Sequence, residues 1–140
     1  MGSGDGARVE LTPLGRSHLG ATDYWDGNWL DCRVLVRAGG FLGDYLASLR
    51  ADEFARLAED LRAVRDSLVG TVAFRSMEEW VTIQVKGDGR GHFNGVCRLL
   101  DRAGDGNRLE CAISFDQTEI QPMLQQLATI AESFPFLGSP

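Results

Sequence analysis

Histidine is scarce in this chain of 140 residues: His18 and His92 are the two it has. They stand more than seventy positions apart, so no local motif pairs them for imidazole chemistry. Cysteine is sparse too, and Cys32, Cys97 and Cys111 are an odd number without a short CxxC spacing, which favours reduced core thiols over a disulfide framework or a zinc site. No apolar run approaches the ~18 residues that a membrane-spanning helix needs. The start, Met1 to Gly6, has neither a basic n-region nor an apolar h-region, so cytoplasmic residence is the expectation. Positive charge is also short, with 14 Lys and Arg against 20 Asp and Glu, a formal net charge of -6. Phosphate backbones need a positive surface, which argues against nucleic acid as a direct ligand, whereas a basic protein would be attracted.

What is present is ordinary globular composition, 44% hydrophobic and 24% charged. A chain this long fits one domain burying roughly two thirds of its unfolded surface. Residues 1–6 and 135–140 are expected to lie outside its ordered part. Arg8-Val9-Glu10-Leu11-Thr12 alternates and predicts a short strand ending near Pro13, followed by a loop from Leu14 to Thr22. Next comes Asp23-Tyr24-Trp25-Asp26-Gly27-Asn28-Trp29-Leu30, which holds two of the three tryptophans. Asp26-Gly27-Asn28 is turn chemistry, and the stretch reads as an aromatic corner where an extended arm enters a sheet.

Leu30, Cys32, Val34 and Val36 share one strand face, Gly39-Gly40 makes a hairpin, and Tyr45, Ala47 and Leu49 face inward on the return. The period then lengthens: Phe54, Leu57, Leu61, Val64 and Leu68 form the apolar stripe of an amphipathic helix expected to stop at Gly70. Rows at Val72 and Phe74, at Val81 to Val85, at Phe93 to Leu99 and at Leu109 to Phe115 predict four more strands joined by short connections, hence an antiparallel meander. Thr118 and Gln121 fit a capping box for a last helix with Ile120, Met123, Leu124, Leu127, Ile130 and Phe134 inward. The predicted fold is α+β: about six or seven antiparallel strands packed with two helices, one mid-chain and one C-terminal.

Motifs for chemistry are weak. Gly87-Asp88-Gly89-Arg90-Gly91 follows a strand but leads into another strand, so it lacks the helix N-terminus of a phosphate loop, and it has one carboxylate where a calcium loop has several. His92 with Asp88 is the one acid-base pairing available to a small enzyme, and no nucleophile or pocket accompanies it. Asp23, Asp26 and Asp31 read as a solvated acidic rim rather than a metal cluster. Tyr24, Trp25 and Trp29 read either as the seal at the end of the core or as a platform for a partner. No catalytic, metal or cofactor-binding residue is assigned.

Tyr24-Trp25-Asp26-Gly27-Asn28-Trp29-Leu30, the Gly87 to His92 turn and Asp116-Gln117-Thr118 together resemble the WapI-type immunity proteins, small bacterial proteins encoded beside polymorphic toxins, over roughly residues 8–133. The first string is the specific part. The resemblance implies a non-enzymatic inhibitor that binds a toxin of its own cell, in some members a toxin that attacks nucleic acid. A basic toxin would meet an acidic inhibitor, and the candidate contacts are Asp52, Glu53, Glu59 and Asp60 on the first predicted helix with Tyr24, Trp25 and Asp26 beside them. The competing readings are a self-associating structural domain, such as a homodimer through a sheet face or edge, and the His92 and Asp88 enzyme.

Overall fold

The structure is a computed structural model that describes residues 1–2 and 6–140. Among the described residues it has seven antiparallel strands in two sheets, with helices mid-chain and at the C-terminal end, the α+β architecture the sequence predicts. One sheet has the order β1-β2-β3, made of β1 (Arg8–Arg16), β2 (Trp29–Ala38) and β3 (Phe41–Arg50). The other has the order β4-β5-β6-β7, made of β4 (Val69–Arg75), β5 (Val81–Asp88), β6 (His92–Leu100) and β7 (Arg108–Asp116). Every neighbour within a sheet is the next strand in sequence, joined by a short turn at three connections, by residues 76–80 between β4 and β5, and by the longer segment carrying α1 (Tyr24–Gly27) between β1 and β2.

The alternating rows all face one interior. Leu30, Cys32, Val34 and Val36 of β2 and Val81, Ile83 and Val85 of β5 are buried in the same cluster as Phe54, Leu57, Leu61 and Val64 of α2 (Ala51–Val64) and Ile120, Met123, Leu124 and Leu127 of α3 (Ile120–Ser133). Helix α2 covers β4, where the rings of Phe54 and Phe74 meet at 5.3 Å, and the Asp60 carboxylate accepts the Ala73 N–H at 3.0 Å. The two sheets are tied through Tyr45 on β3, which stacks on Trp80 and donates its hydroxyl to the Trp80 carbonyl at 2.7 Å. Cys32 and Cys97 are inside this core, where burial pushes both thiols up to about 12, and Cys111 is half-buried opposite Cys97. Neither of the buried pair is poised as a nucleophile at neutral pH.

Four local expectations are corrected. Strand β1 does not end near Pro13 but runs on to Arg16 through an irregularity between Pro13 and Gly15. It is an edge strand, and a residue without an N–H is harmless where that N–H would face away from the neighbour. The aromatic corner is not a bare turn but a short helix, α1 (Tyr24–Gly27), which Asp23 caps by accepting the Asp26 N–H at 3.0 Å. Helix α2 stops at Val64 rather than Gly70, and Leu68 lies beyond it at φ 61°, bonded back to the Val64 carbonyl at 2.9 Å. At the last helix the cap is Asp116, which accepts the Thr118 N–H at 2.8 Å and starts a 3₁₀ turn at Gln117–Glu119, instead of a Thr118 and Gln121 box.

Residues 1–6 fall partly outside the described residues, because 3–5 are not among them; Met1 and Gly2 are paired with β1 through the Val9 N–H and a bridge to Arg8. At the other end, the Arg16 guanidinium donates to the Pro135 carbonyl at 2.6 Å, and Leu137 is bonded to Asn28 at 3.0 Å.

Phe74 links α2 to the four-stranded sheet at the centre of this interior. Phe74→Ala is expected to lower the unfolding free energy by about 3–5 kcal/mol, read from the urea midpoint, since a ring-sized void there cannot be filled by solvent-facing side chains.

Candidate functional site

The aromatic corner, the strand end before α2 and the C-terminal segment meet at one buried guanidinium. Arg50, 1% exposed, closes β3 and directly precedes α2. Its Nη1 donates to the Trp25 carbonyl at 2.7 Å, its Nη2 to the Tyr24 carbonyl at 3.0 Å, and its Nε to the Asp52 carboxylate at 3.0 Å. The cation also faces the rings of Trp29, Tyr24 and Trp25 at 5.0, 5.3 and 5.7 Å. A buried charge is tolerated only when it is paired and hydrogen-bonded, and α1 supplies that solvation with the carbonyls of its first two residues. Asp52 shares the load: its second oxygen accepts from Arg56 at 3.0 Å and from the Tyr24 hydroxyl at 3.4 Å.

Asn28 does for the chain end what Arg50 does for α1. Fully buried, its amide nitrogen donates to the Tyr24 carbonyl at 2.9 Å and the Leu137 carbonyl at 3.0 Å, while its oxygen accepts the Leu137 N–H at 3.0 Å. That reciprocal pair imitates one rung of a sheet between residues 109 positions apart. The approach needs glycine at 138, where φ is 63° and a Cβ would lie 2.7 Å from the Tyr24 nitrogen, and it is tight at Gly27, where a Cβ would lie 3.1 Å from Leu137 Cδ1. Arg16 finishes the corner by donating to the Gly27 carbonyl at 2.8 Å.

Glu53 is the second buried charge, 4% exposed, and both its oxygens are used: one accepts the Arg50 N–H and the other the Met77 N–H, each at 2.7 Å. Burial pushes its carboxyl up to about 7 from an ordinary 4.5, and the two backbone donors offset that only in part.

The seven candidate contacts thus divide. Asp52 and Glu53 are buried and face inward to Arg50 and the backbone; Asp60 holds β4; Tyr24 is half-buried between Arg50 and Asp52. Trp25, Asp26 and Glu59 are exposed. With those acids engaged, the solvent face of α2 presents Arg56 and Arg62 beside Glu59, and the exposed carboxylate of the aromatic corner itself is Asp26 on α1. Trp25, 58% exposed, is the large side chain offered there, and Phe136 is 53% exposed on the adjoining C-terminal segment.

The sequence reading does not single out Arg50, and it takes Asn28 as turn chemistry rather than as the partner of the chain's C-terminal segment. The one signal for Arg50 was Glu53 three residues on, the spacing of a capping box with an arginine where serine or threonine would be expected. The pair His92 and Asp88 is not joined through the imidazole: the Asp88 carboxylate accepts the backbone N–H groups of Arg90 and His92 at 2.7 and 3.1 Å, contacts that hold its pKa below the ordinary value and shape the turn. Of the three acids read as a rim, Asp23 caps α1 and Asp31 accepts the Ser17 hydroxyl at 2.6 Å. Among the described residues no group of three or more His, Cys, Asp or Glu is placed to hold a metal ion.

The motif residues Tyr24 to Leu30 thereby have a structural explanation, and the sequence matches the Immunity protein WapI-like family over residues 1–135. The chain belongs to that family. No curated protein and no solved structure matches it. In this WapI-like protein the string that carries the family resemblance is a scaffold around Arg50, with one indole left outside. Among the described residues no helix is long and apolar enough to cross a membrane.

Two outcomes follow. Arg50→Lys keeps the charge but loses the planar fork, and it is expected to cost about 3–5 kcal/mol because two carbonyls and Asp52 lose their donors; near-wild-type thermal stability of that variant would remove Arg50 from its central place. For Glu53, the folded pKa lies above the unfolded one, so folding takes up a proton between about 4.5 and about 7. Its contribution is full below pH 4.5 and is lost as pH rises through 7. Glu53→Gln should flatten that part of the stability profile relative to wild type, while lowering stability by about 1–3 kcal/mol because its amide group turns a donor toward a backbone N–H. Urea midpoints of both proteins across this pH range measure the difference.

Proposed function

We propose that this protein neutralises a toxin of its own cell by binding it, without chemistry, through the surface centred on Trp25 and Asp26. Family membership supports the immunity role. The observation that carries the choice of surface is that Trp25 is exposed and yet immobilised: its carbonyl is held by Arg50 and its ring lies against the same cation and edge-on to Tyr24 at 5.0 Å. An anchor whose conformation is already fixed loses little entropy on binding, and tryptophan is enriched among the residues that dominate interface energetics.

Charge supports a basic partner. The chain is at -6, and Asp23 and Asp26 lie on either side of the indole in sequence and are exposed. Complementary charge raises the association rate, whereas the buried anchor sets the lifetime. In this reading the protein works in the cytoplasm, uses no cofactor, and contacts neither nucleic acid nor membrane. Asp52, Glu53 and Asp60 take part indirectly, by holding the scaffold from which Trp25 projects.

The test is direct binding to the toxin module encoded beside the gene. Trp25→Ala should raise Kd by about 30-fold, some 2 kcal/mol, beyond a stability loss of about 1 kcal/mol from the missing contact with Arg50, which urea midpoints measure separately. Asp26→Lys should slow association at low salt and converge with wild type at high salt. A Trp25→Ala variant that protects and binds as well as wild type would move the interface elsewhere on the molecule.

A further inference from the structure

Strand β1 leaves a stretch of sheet edge open beside a cavity. Its ladder with β2 pairs Arg8 with Arg37, Glu10 with Leu35 and Thr12 with Arg33. Val9 points the other way: its N–H donates to the Met1 carbonyl and its carbonyl accepts from the Met1 amino group, each at 2.8 Å. Because ladder groups alternate along a strand, the N–H and carbonyl of Leu11 and the carbonyl of Pro13 face the same side as those of Val9. Past the irregularity the Ser17 N–H bonds to the Trp29 carbonyl at 2.9 Å, which marks where the alternation reverses. Among the described residues only Met1 and Gly2 pair with this outer edge, and that pairing covers Arg8 and Val9 without reaching Leu11.

Beside the unpaired stretch is a cavity of about 450 Å³ between β1 and α3. Its floor is the core itself, at Phe54, Phe74 and Ile83, and its sides are Leu11 on the strand with Met123 and Ile130 on the helix. The volume is within the roughly 300–1,000 Å³ of ligand pockets. Open backbone groups and an apolar hole side by side are what one extended chain satisfies at once.

We propose that the Leu11 to Pro13 edge of β1 and the cavity beneath α3 form a strand-addition site for an extended peptide segment of a partner protein, with apolar side chains at alternate positions. The backbone of the segment pairs with Leu11 and Pro13, and one apolar side chain enters the cavity. The chain's own start shows the mode: Met1 pairs by its backbone with Val9, and it lines the same cavity and packs on the core. A lipid or small apolar molecule would fill the cavity but leave the Leu11 groups unpaired, and a helix has free backbone groups only at its ends, not along its length. This site is separate from the Trp25 surface, and its test needs no toxin.

The probe is a displayed library of unstructured nonapeptides selected on the whole chain, with the recovered peptide synthesised and titrated by calorimetry. Recovered sequences should alternate apolar and polar residues, and binding should slow hydrogen exchange at the Leu11 amide. Leu11→Pro, which removes the edge donor without touching the β2 ladder, and Thr129→Trp, which narrows the cavity from the helix side, should each weaken binding about tenfold or more. If Leu11→Pro fails to fold, Thr129→Trp and the exchange measurement decide. Recovery of no alternating sequence overturns the proposal. So does peptide binding unchanged in Thr129→Trp, or a cavity that takes dodecanoate while the Leu11 amide exchanges as fast as before.

Discussion

A guanidinium taken out of water is the constraint around which this molecule is built. Arg50 is fully buried at the junction of β3 and α2, and the nearest carboxylate, Asp52, cannot by itself satisfy a five-donor fork. The remaining acceptors are carbonyls of α1, and three aromatic rings complete the shell. A charge in such a place fixes geometry more than it adds stability. Small displacements of α1 would strand it, so the corner has one allowed arrangement. Asn28, Arg16 and the C-terminal segment are tied into that arrangement by hydrogen bonds.

That constraint also bears on how a family motif is read. Tyr24, Gly27 and Asn28 are held by the scaffold, through a carbonyl given to Arg50, a close approach to Leu137 and a two-way amide bond. Trp25 alone combines a backbone in the scaffold with a ring mostly in solvent. A motif can thus be specific because the structure behind a surface demands it, with the surface itself confined to the residue that the structure leaves free.

The fold was legible in the sequence wherever burial repeats with a fixed period. The rows Leu30 to Val36, Val81 to Val85 and Phe54 to Val64 were each read to the correct face, because period-two and period-3.6 patterns report directly on which side meets the core. Ends of elements were less legible. Leu68 fits the helical stripe by spacing but turns to positive φ, and Pro13 looks like a terminator until the strand is known to be an edge. The site was least legible. Acidic residues at the start of a helix ordinarily face water, and beyond the spacing of Glu53 from Arg50 nothing local distinguishes Asp52 and Glu53 from Glu59. What buries them is Arg50 and the Met77 N–H, set in place by tertiary contacts. Nor could spacing pair Asn28 with Leu137, since such a contact leaves no periodic trace.

The rung between Asn28 and Leu137 has a bearing on biosynthesis. Translation reaches Asn28 109 positions before Leu137, so the aromatic corner is made well ahead of the residue that locks it. A nascent chain holding α1 therefore has its indole in hand but not its lock, and the rigid form of that surface arises only when translation has passed the final helix. Tags joined directly behind Gly138 would press on the same joint, so a spacer belongs between them.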